Sequence, residues 1–285
     1  MIETIGDRKA VVITGASRGL GRTIALDLAA DRFNVFAGVR KAADGEALKE
    51  AGGERVIPVM LDVTDLAQVK ATAAEVVEAT DDGGIAGLVN NAGIGIFEPL
   101  EQTPMSKVEE QFRVNVLGTL AVTQAFLPAL RKGKGRIVNV TSVNGKVSFP
   151  FTGVYSATKF ALEAISDALR VELGGSGVSV SVVQPGLTNT DIRARAMESW
   201  ATRRDQLSAE ERELYDDKFQ KLSAIIEGLD ATAAGHEYFS RDVLDALTAE
   251  TPQIRYQTGP DWEQWIEMLK LSDEDRDKAM LEMFQ

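Results

Sequence analysis

Short β-branched runs alternate with helical stretches through the first two-thirds of this chain, and that alternation most constrains what it can fold into. Lys9–Thr14, Phe33–Val39, Val56–Leu61, Ile85–Asn90, Arg136–Thr141 and Val178–Gln184 read as strands. Arg18–Ala30, Asp65–Thr80, Met105–Arg131 and Gly153–Leu173 read as helices, as the spacing of Leu20, Ile24 and Leu28 illustrates. Alternation of this kind implies βαβ units and a parallel sheet. Right-handed crossovers then put helices on both faces, an α/β, doubly wound architecture.

After Pro185-Gly186 the character changes. Leu187–Asp230 is long, charged and helical, with Tyr215, Phe219, Leu222, Ile226 and Leu229 forming an amphipathic stripe. It is either a helix packed on the body or a lid over a cleft at the strand ends. Phe239–Ala249 is expected to be helical, Ile254–Gln257 a last edge strand, and Asp261–Lys270 and Asp273–Met283 helices. No repeat or linker interrupts the chain. Residues 1–285 therefore read as a single domain, with a core at about 9–186, a lid at about 187–235 and a helical extension at about 260–285.

The first turn carries the first chemical signal. Thr14-Gly15-Ala16-Ser17-Arg18-Gly19-Leu20-Gly21 follows a strand and opens a helix. Glycines at 15, 19 and 21 permit a tight turn and let a pyrophosphate approach the helix N-terminus. The second strand ends in Val39-Arg40-Lys41, with no acid to grip a ribose 2′-hydroxyl. Arg40 can instead pair with a 2′-phosphate, assisted by Arg18, so the expected cofactor is NADP(H) rather than NAD(H). Asp62, followed by Val63, ends the third strand; it either accepts from an adenine amino group or caps the next helix. Asn90-Asn91-Ala92-Gly93 ends the fourth, with small residues suited to a cofactor crossing the sheet edge.

Composition removes several alternatives. There is no cysteine, so disulfides, iron–sulfur clusters and thiol catalysis are excluded. The one histidine, His236, cannot by itself make a catalytic zinc site, and no metal is expected. A formal net charge of −12 argues against nucleic acid or anionic membrane as a partner. No apolar run approaches the roughly twenty residues needed to span a bilayer. Met1–Asp7 lacks the regions of a signal peptide, so a cytoplasmic location is expected.

The second chemical signal is Tyr155-Ser-Ala-Thr-Lys159, with Ser142 upstream. Residues at i and i+4 share a helix face. A fixed cation beside a phenol favours the phenolate, so Tyr155 is expected to have a lowered pKa and to exchange a proton with an alcohol or ketone.

In this order, Thr14–Gly21, Asp62, Asn90–Gly93, Asn115, Ser142, Tyr155 with Lys159, and Pro185-Gly186 with Thr188 and Thr190 resemble the classical short-chain dehydrogenase/reductase family. The resemblance covers about residues 9–190 and implies a Rossmann-type sheet. It also implies a catalytic tetrad: Tyr155 as general acid or base, Ser142 orienting the carbonyl, Lys159 binding the nicotinamide ribose and lowering the Tyr155 pKa, and Asn115 holding a water that links Lys159 to solvent. The cofactor would touch Gly15, Ser17, Arg18, Gly19, Leu20, Gly21, Arg40, Asp62, Val63, Asn90, Ala92, Gly93, Pro185, Gly186, Thr188 and Thr190, besides Tyr155 and Lys159. Tyr155-Ser-Ala-Thr-Lys159-Phe-Ala-Leu-Glu163 and Thr251–Gly259 are similar to the 17β-hydroxysteroid and retinol dehydrogenase-like branch.

The expected activity is therefore NADP(H)-dependent interconversion of a ketone and a secondary alcohol. An apolar, steroid-like or cyclic carbonyl compound would suit a lid bearing Met197 and Trp200, residues that fit a core equally well. A 3-oxoacyl thioester reductase is the alternative within the family, and a non-catalytic NADP(H) sensor the alternative outside enzymes. The resemblance also implies a homodimer or homotetramer built on Met105–Arg131 and Gly153–Leu173.

Overall fold

The computed structural model describes residues 9–80, 83–188, 191–230 and 234–283, with the side chains of 191, 226 and 228–230 left aside. The leader reading of Met1–Asp7, the cofactor contact expected of Thr190, and the contribution of Ile226 and Leu229 to the stripe lie outside what is described.

The strands are β1 (Ala10–Ile13), β2 (Asn34–Val39), β3 (Val56–Met60), β4 (Gly87–Asn90), β5 (Arg136–Val140), β6 (Ser179–Pro185) and β7 (Arg255–Thr258). They pair, all parallel, in the order β3-β2-β1-β4-β5-β6-β7. The chain winds outward from β1 in one direction and from β4 in the other. The boundary between those two strands is where a doubly wound sheet opens a crevice beyond its carboxyl ends.

Strand side chains alternate between two cores. Val12, Phe36, Leu88 and Ile137 point to the face covered by α3 (Leu66–Ala79), α5 (Thr119–Gly133) and α6 (Gly153–Glu172), where Phe126 is fully buried. Val11, Ile13, Val35, Val89 and Val138 point to the face covered by α1 (Gly19–Asp31), α2 (Ala42–Gly52) and α10 (His236–Thr248), against Ile24, Leu28 and Val243. Burial on both faces explains why these strands read as continuous apolar runs rather than alternating ones.

Two local findings differ from the sequence reading. The helix expected over Met105–Arg131 is α4 (Met105–Phe112), a π-helical segment Arg113–Gly118, and α5. The widened turn is the form in which single-turn π-bulges occur at functional sites. The helix after β3 is capped by Asp65, whose carboxylate accepts from Ala67 N and Gln68 N at 3.0 Å, and not by Asp62.

Beyond β6 lie α7 (Asp191–Arg204), α8 (Ala209–Glu213) and α9 (Asp216–Asp230), and after β7 come α11 (Trp262–Lys270) and α12 (Asp273–Glu282). Among the described residues no helix is long and apolar enough to cross a membrane.

Candidate active site

The turn after β1 is shaped for an anion. Gly15 has φ +67°, and a Cβ there would come 2.9 Å from Ala92 Cα. A Cβ on Gly21 would collide with Gly15 O and with the Asn91 amide. The turn is zipped to the end of β4: Thr14 Oγ1 accepts from Asn91 N at 3.0 Å and Ala92 N at 2.9 Å, and Asn91 Nδ2 donates to Thr14 O at 3.0 Å. By contrast a Cβ on Gly19 would meet nothing within 4 Å. The first turn of α1 has no capping side chain and no acidic residue. Free N–H groups at a helix N-terminus, backed by a glycine turn and facing open space, fit the phosphates of a dinucleotide.

This turn opens one end of a cleft of about 580 Å³. Ser17, Arg18 and Leu20 line it with the glycines, and Arg40, Asp62 and Val63 line it beyond β2 and β3. Both hydrogen bonds that Thr64 makes to Asp62, from N at 2.9 Å and Oγ1 at 2.7 Å, go to Oδ1. Burial pushes the Asp62 pKa up, but these bonds and the charge of Arg40 outweigh it and hold the carboxyl below its ordinary value. Ala92 and Gly93 line the cleft at the end of β4, and Pro185, Gly186 and Thr188 at the end of β6.

Asn90 is a correction. Its side chain faces the core, donating to Thr123 Oγ1 at 3.0 Å and Asn139 Oδ1 at 2.8 Å, and it is Asn91 that lines the cleft. The pleat of β4 decides this, because neighbouring residues face opposite sides.

At the far end, β5 delivers Ser142 and α6 delivers Tyr155 and Lys159 to the same wall. Tyr155 is 9% exposed, and its ring meets the edge of Phe97 at 5.7 Å and 67°. Burial drives the Tyr155 pKa up to about 12, and the Ser142 hydroxyl, on the same wall, acts in the opposite sense. Lys159 Nζ donates to Val140 O at 2.9 Å and lies 5.6 Å from the Tyr155 ring centroid. The expected lowering of Tyr155 by Lys159 is therefore not what the structure shows: desolvation dominates, and the lysine is itself pushed down to about 8 by burial.

Asn115 is fully buried and does not line the cleft. From the π-helical segment its Oδ1 accepts from Ile94 N at 2.8 Å, and its Nδ2 donates to Ile94 O at 2.9 Å and Thr158 Oγ1 at 3.0 Å. Both amide hydrogens are used, and the side chain clamps the cleft-lining Ile94 to α6.

A family model described as "short chain dehydrogenase" matches residues 9–200. The chain belongs to the short-chain dehydrogenase family. It is 36% identical over 255 residues to 3-amino-tetrahydro-pyrrolizinone reductase of Xenorhabdus hominickii, covering 89% of this chain and 88% of the relative. It is 36% identical over 285 residues to mitochondrial D-beta-hydroxybutyrate dehydrogenase of Bos taurus, covering 94% and 81%. It is 35% identical over 270 residues to estradiol 17-beta-dehydrogenase 2 of Mus musculus, covering 91% and 70%. Among solved structures, a short-chain dehydrogenase from Burkholderia cenocepacia in complex with NADP superposes with a TM-score of 0.74 at 26% identity, covering 96% of this chain and 98% of that one. The protein thus stands among oxidoreductases of this family.

The family relationship leaves the substrate side of the cleft to be read from this chain. Its apolar wall comes from Phe97 and Phe149 on the body, Ile192, Leu222 and Ile225 on α7 and α9, and Trp265 and Met283 near the C-terminus. Trp200 and Met197 are not part of it. Trp200 is 1% exposed and packs on Phe219 at 5.1 Å, which ties α7 to α9. Ala196 of α7 clusters directly with Phe97 and Tyr155. Helical periodicity marks a buried stripe but does not say which helix it faces, so sequence alone missed these walls.

Proposed function

We propose that the protein is an NADP(H)-dependent oxidoreductase that interconverts a ketone and a secondary alcohol on an apolar substrate. One observation carries the reading: a buried Tyr155 shares one cleft wall with Ser142 and Lys159, and that cleft continues to an uncapped glycine turn at a helix N-terminus. A bound nicotinamide supplies the hydride. Ser142 holds the carbonyl oxygen, and Tyr155 gives that oxygen its proton. The phenolate left behind accepts from Ser142 and gains from the positive charge of Lys159. In the alcohol-to-ketone direction the same proton returns to Tyr155.

Arg40, at the exposed end of β2, supports NADP(H) over NAD(H), and the NADP complex of the Burkholderia relative agrees in kind. Phe97, Phe149, Leu222 and Trp265 support an apolar carbonyl compound. We also read residues 1–285 as one catalytic domain with 187–235 as its lid. Leu117 and Phe160, 60% and 43% exposed on the π segment and α6, support assembly of two copies through these helices.

The test is an NADPH-oxidation screen over steroids, apolar cyclic ketones and acyl thioesters, with Tyr155→Phe as control. The variant should lose at least about a hundredfold in kcat, the low end of what a positioned general acid contributes, and keep its NADPH affinity within a few-fold. Wild-type protein that binds NADPH and reduces none of these compounds would sink the reading.

A further inference from the structure

Glu163 stands one turn beyond Lys159 on α6, is 4% exposed, and has no part in the proton transfer above. Its Oε1 accepts from Thr141 Oγ1 at 2.7 Å and from Gln184 Nε2 at 2.9 Å. Its Oε2 accepts from Arg255 Nε at 2.9 Å and lies 3.2 Å from Lys146 Nζ. Each partner belongs to a different segment of the chain, and Thr141 among them lines the cleft. Thr141 precedes Ser142 beyond β5, Gln184 precedes Pro185-Gly186 in β6, Arg255 opens β7, and Lys146 follows the short helical turn after Ser142. Arg255 is held in turn by both oxygens of Asp167 at 2.7 Å.

A carboxylate taken out of water needs its lone pairs satisfied and its charge compensated. Glu163 meets both needs. Burial raises its pKa, but the bonds from Gln184, Thr141 and Arg255 and the charge of Lys146 hold it below the ordinary carboxylate value. It is an anion throughout the neutral range.

We propose that Glu163 is the positioning residue of this site: its carboxylate ties α6 to the residue after β5, to β6 and to the start of β7, and supplies a buried negative charge one helical turn from the Lys159 ammonium. The proposal rests on the oxidoreductase reading only in giving Lys159 a task. Two observations favour it over a purely structural ion pair. The attraction of Glu163 opposes the burial that depresses Lys159. The groups around the pair are also few and nameable. Tyr155 on α6 and the Val140 carbonyl on β5 face the ammonium, with Glu163 one helical turn away, while Lys146 and Arg255, backed by Asp167, face the carboxylate. Removing the carboxylate takes the negative charge from beside Lys159 and leaves Lys146 without its ion-pair partner.

The experiment titrates Lys159 directly in the ligand-free protein, following its side-chain methylene resonance by NMR, assigned by its loss in Lys159→Met. In Glu163→Gln the midpoint should fall by about one pH unit or more. In Lys146→Gln, at a 30% exposed side chain, a cation leaves the same carboxylate and the midpoint should rise. Loss of a merely structural contact would not shift the two variants in opposite directions. An unmoved midpoint in either variant overturns the proposal, and Lys146→Gln serves alone if Glu163→Gln does not fold. In steady-state reduction the high-pH limb of kcat should move with the midpoint. Opposed Lys159 shifts in a protein that reduces no carbonyl would overturn the oxidoreductase reading and leave the assignment of Glu163 standing.

Discussion

A phenol held at about 12 keeps its proton across the whole physiological range, and a lysine held at about 8 sits close to losing one. In the proposed reaction Tyr155 therefore enters as an acid, and Lys159 is the group whose charge is sensitive to pH. The depressed lysine also leaves a signature on stability. Below pH 8 the folded and unfolded chains both carry the proton, and the folded chain bears the full cost of burying it. Between pH 8 and 10.5 the unfolded chain binds more protons, so stability rises with pH; above 10.5 this contribution is gone. Urea unfolding of wild type and Lys159→Met should show wild type gaining on the variant by up to about 3 kcal/mol between pH 7 and 10. Parallel curves would mean that Lys159 titrates normally. At the other end of the cleft, Arg40→Asp should weaken NADPH by roughly ten- to a hundredfold, as loss of a charge-assisted bond does, and should favour NADH. Fluorescence titration with both nucleotides measures this, and an unchanged ratio would count against the 2′-phosphate role.

At the scale of elements, the strands and most helices were legible because their apolar periods are long and unambiguous. β7 was legible as an edge strand from Ile254–Gln257, one residue out of register with the observed Arg255–Thr258. α2 was not anticipated, since Ala42–Gly52 buries only Gly45 and Leu48 and shows little apolar stripe. The π segment was hidden as well. Its cause is tertiary: Asn115 reaches the Ile94 backbone, and a Cβ on Gly118 would come 2.7 Å from Val63 Cγ2. The role of Glu163 was not legible either, because its partners Thr141, Lys146, Gln184 and Arg255 come from segments far apart in the chain. The lid shows how such long-range contacts govern an element. Phe151, held at φ +65°, turns its ring onto Tyr215 at 6.2 Å and Phe219 at 5.7 Å. Tyr215 OH donates to Glu101 at 2.6 Å, and Gln102 Nε2 donates to Glu211 O at 2.7 Å. A non-glycine residue in the left-handed region costs roughly 1–2 kcal/mol, and each ring pair returns about 0.5–1.5 kcal/mol. Phe151→Gly relieves that strain but loses both ring pairs and the burial of a ring only 8% exposed, a loss of about 3–5 kcal/mol that outweighs the relief and opens the clasp. Hydrogen exchange should then show α7–α9 losing about tenfold or more in protection with the sheet unaffected. Equal loss in the sheet would show that the lid is not an independent unit.

Across the whole molecule, the cofactor turn after β6 and the C-terminal helices are one mechanical unit. Asp261 Oδ2 accepts from Leu187 N and from Trp265 Nε1, both at 2.7 Å, and Trp262 Nε1 donates to Gln184 O at 2.7 Å. Glycine at 186 permits this, because any Cβ there would collide with the Asp261 carboxylate. The extension thus presses the Gly186–Thr188 wall into place from behind and sets Trp265 against Phe149 at 4.9 Å on the substrate side. Asp261→Ala deletes two bonds to a carboxylate, each worth about 1.5–3 kcal/mol, while the Gly15–Gly21 cradle is untouched. A ligand that binds only the folded chain stabilises it by RT ln(1 + [L]/Kd), about 2.7 kcal/mol at a hundredfold excess over Kd. The variant should therefore melt below wild type without nucleotide and also gain less from a fixed NADPH concentration, since half of its nucleotide wall is loose. Thermal unfolding with and without NADPH separates the two effects. A lower Tm with an undiminished NADPH increment would make Asp261 a strut of the fold alone, and the extension would then have no hold on the cofactor cleft.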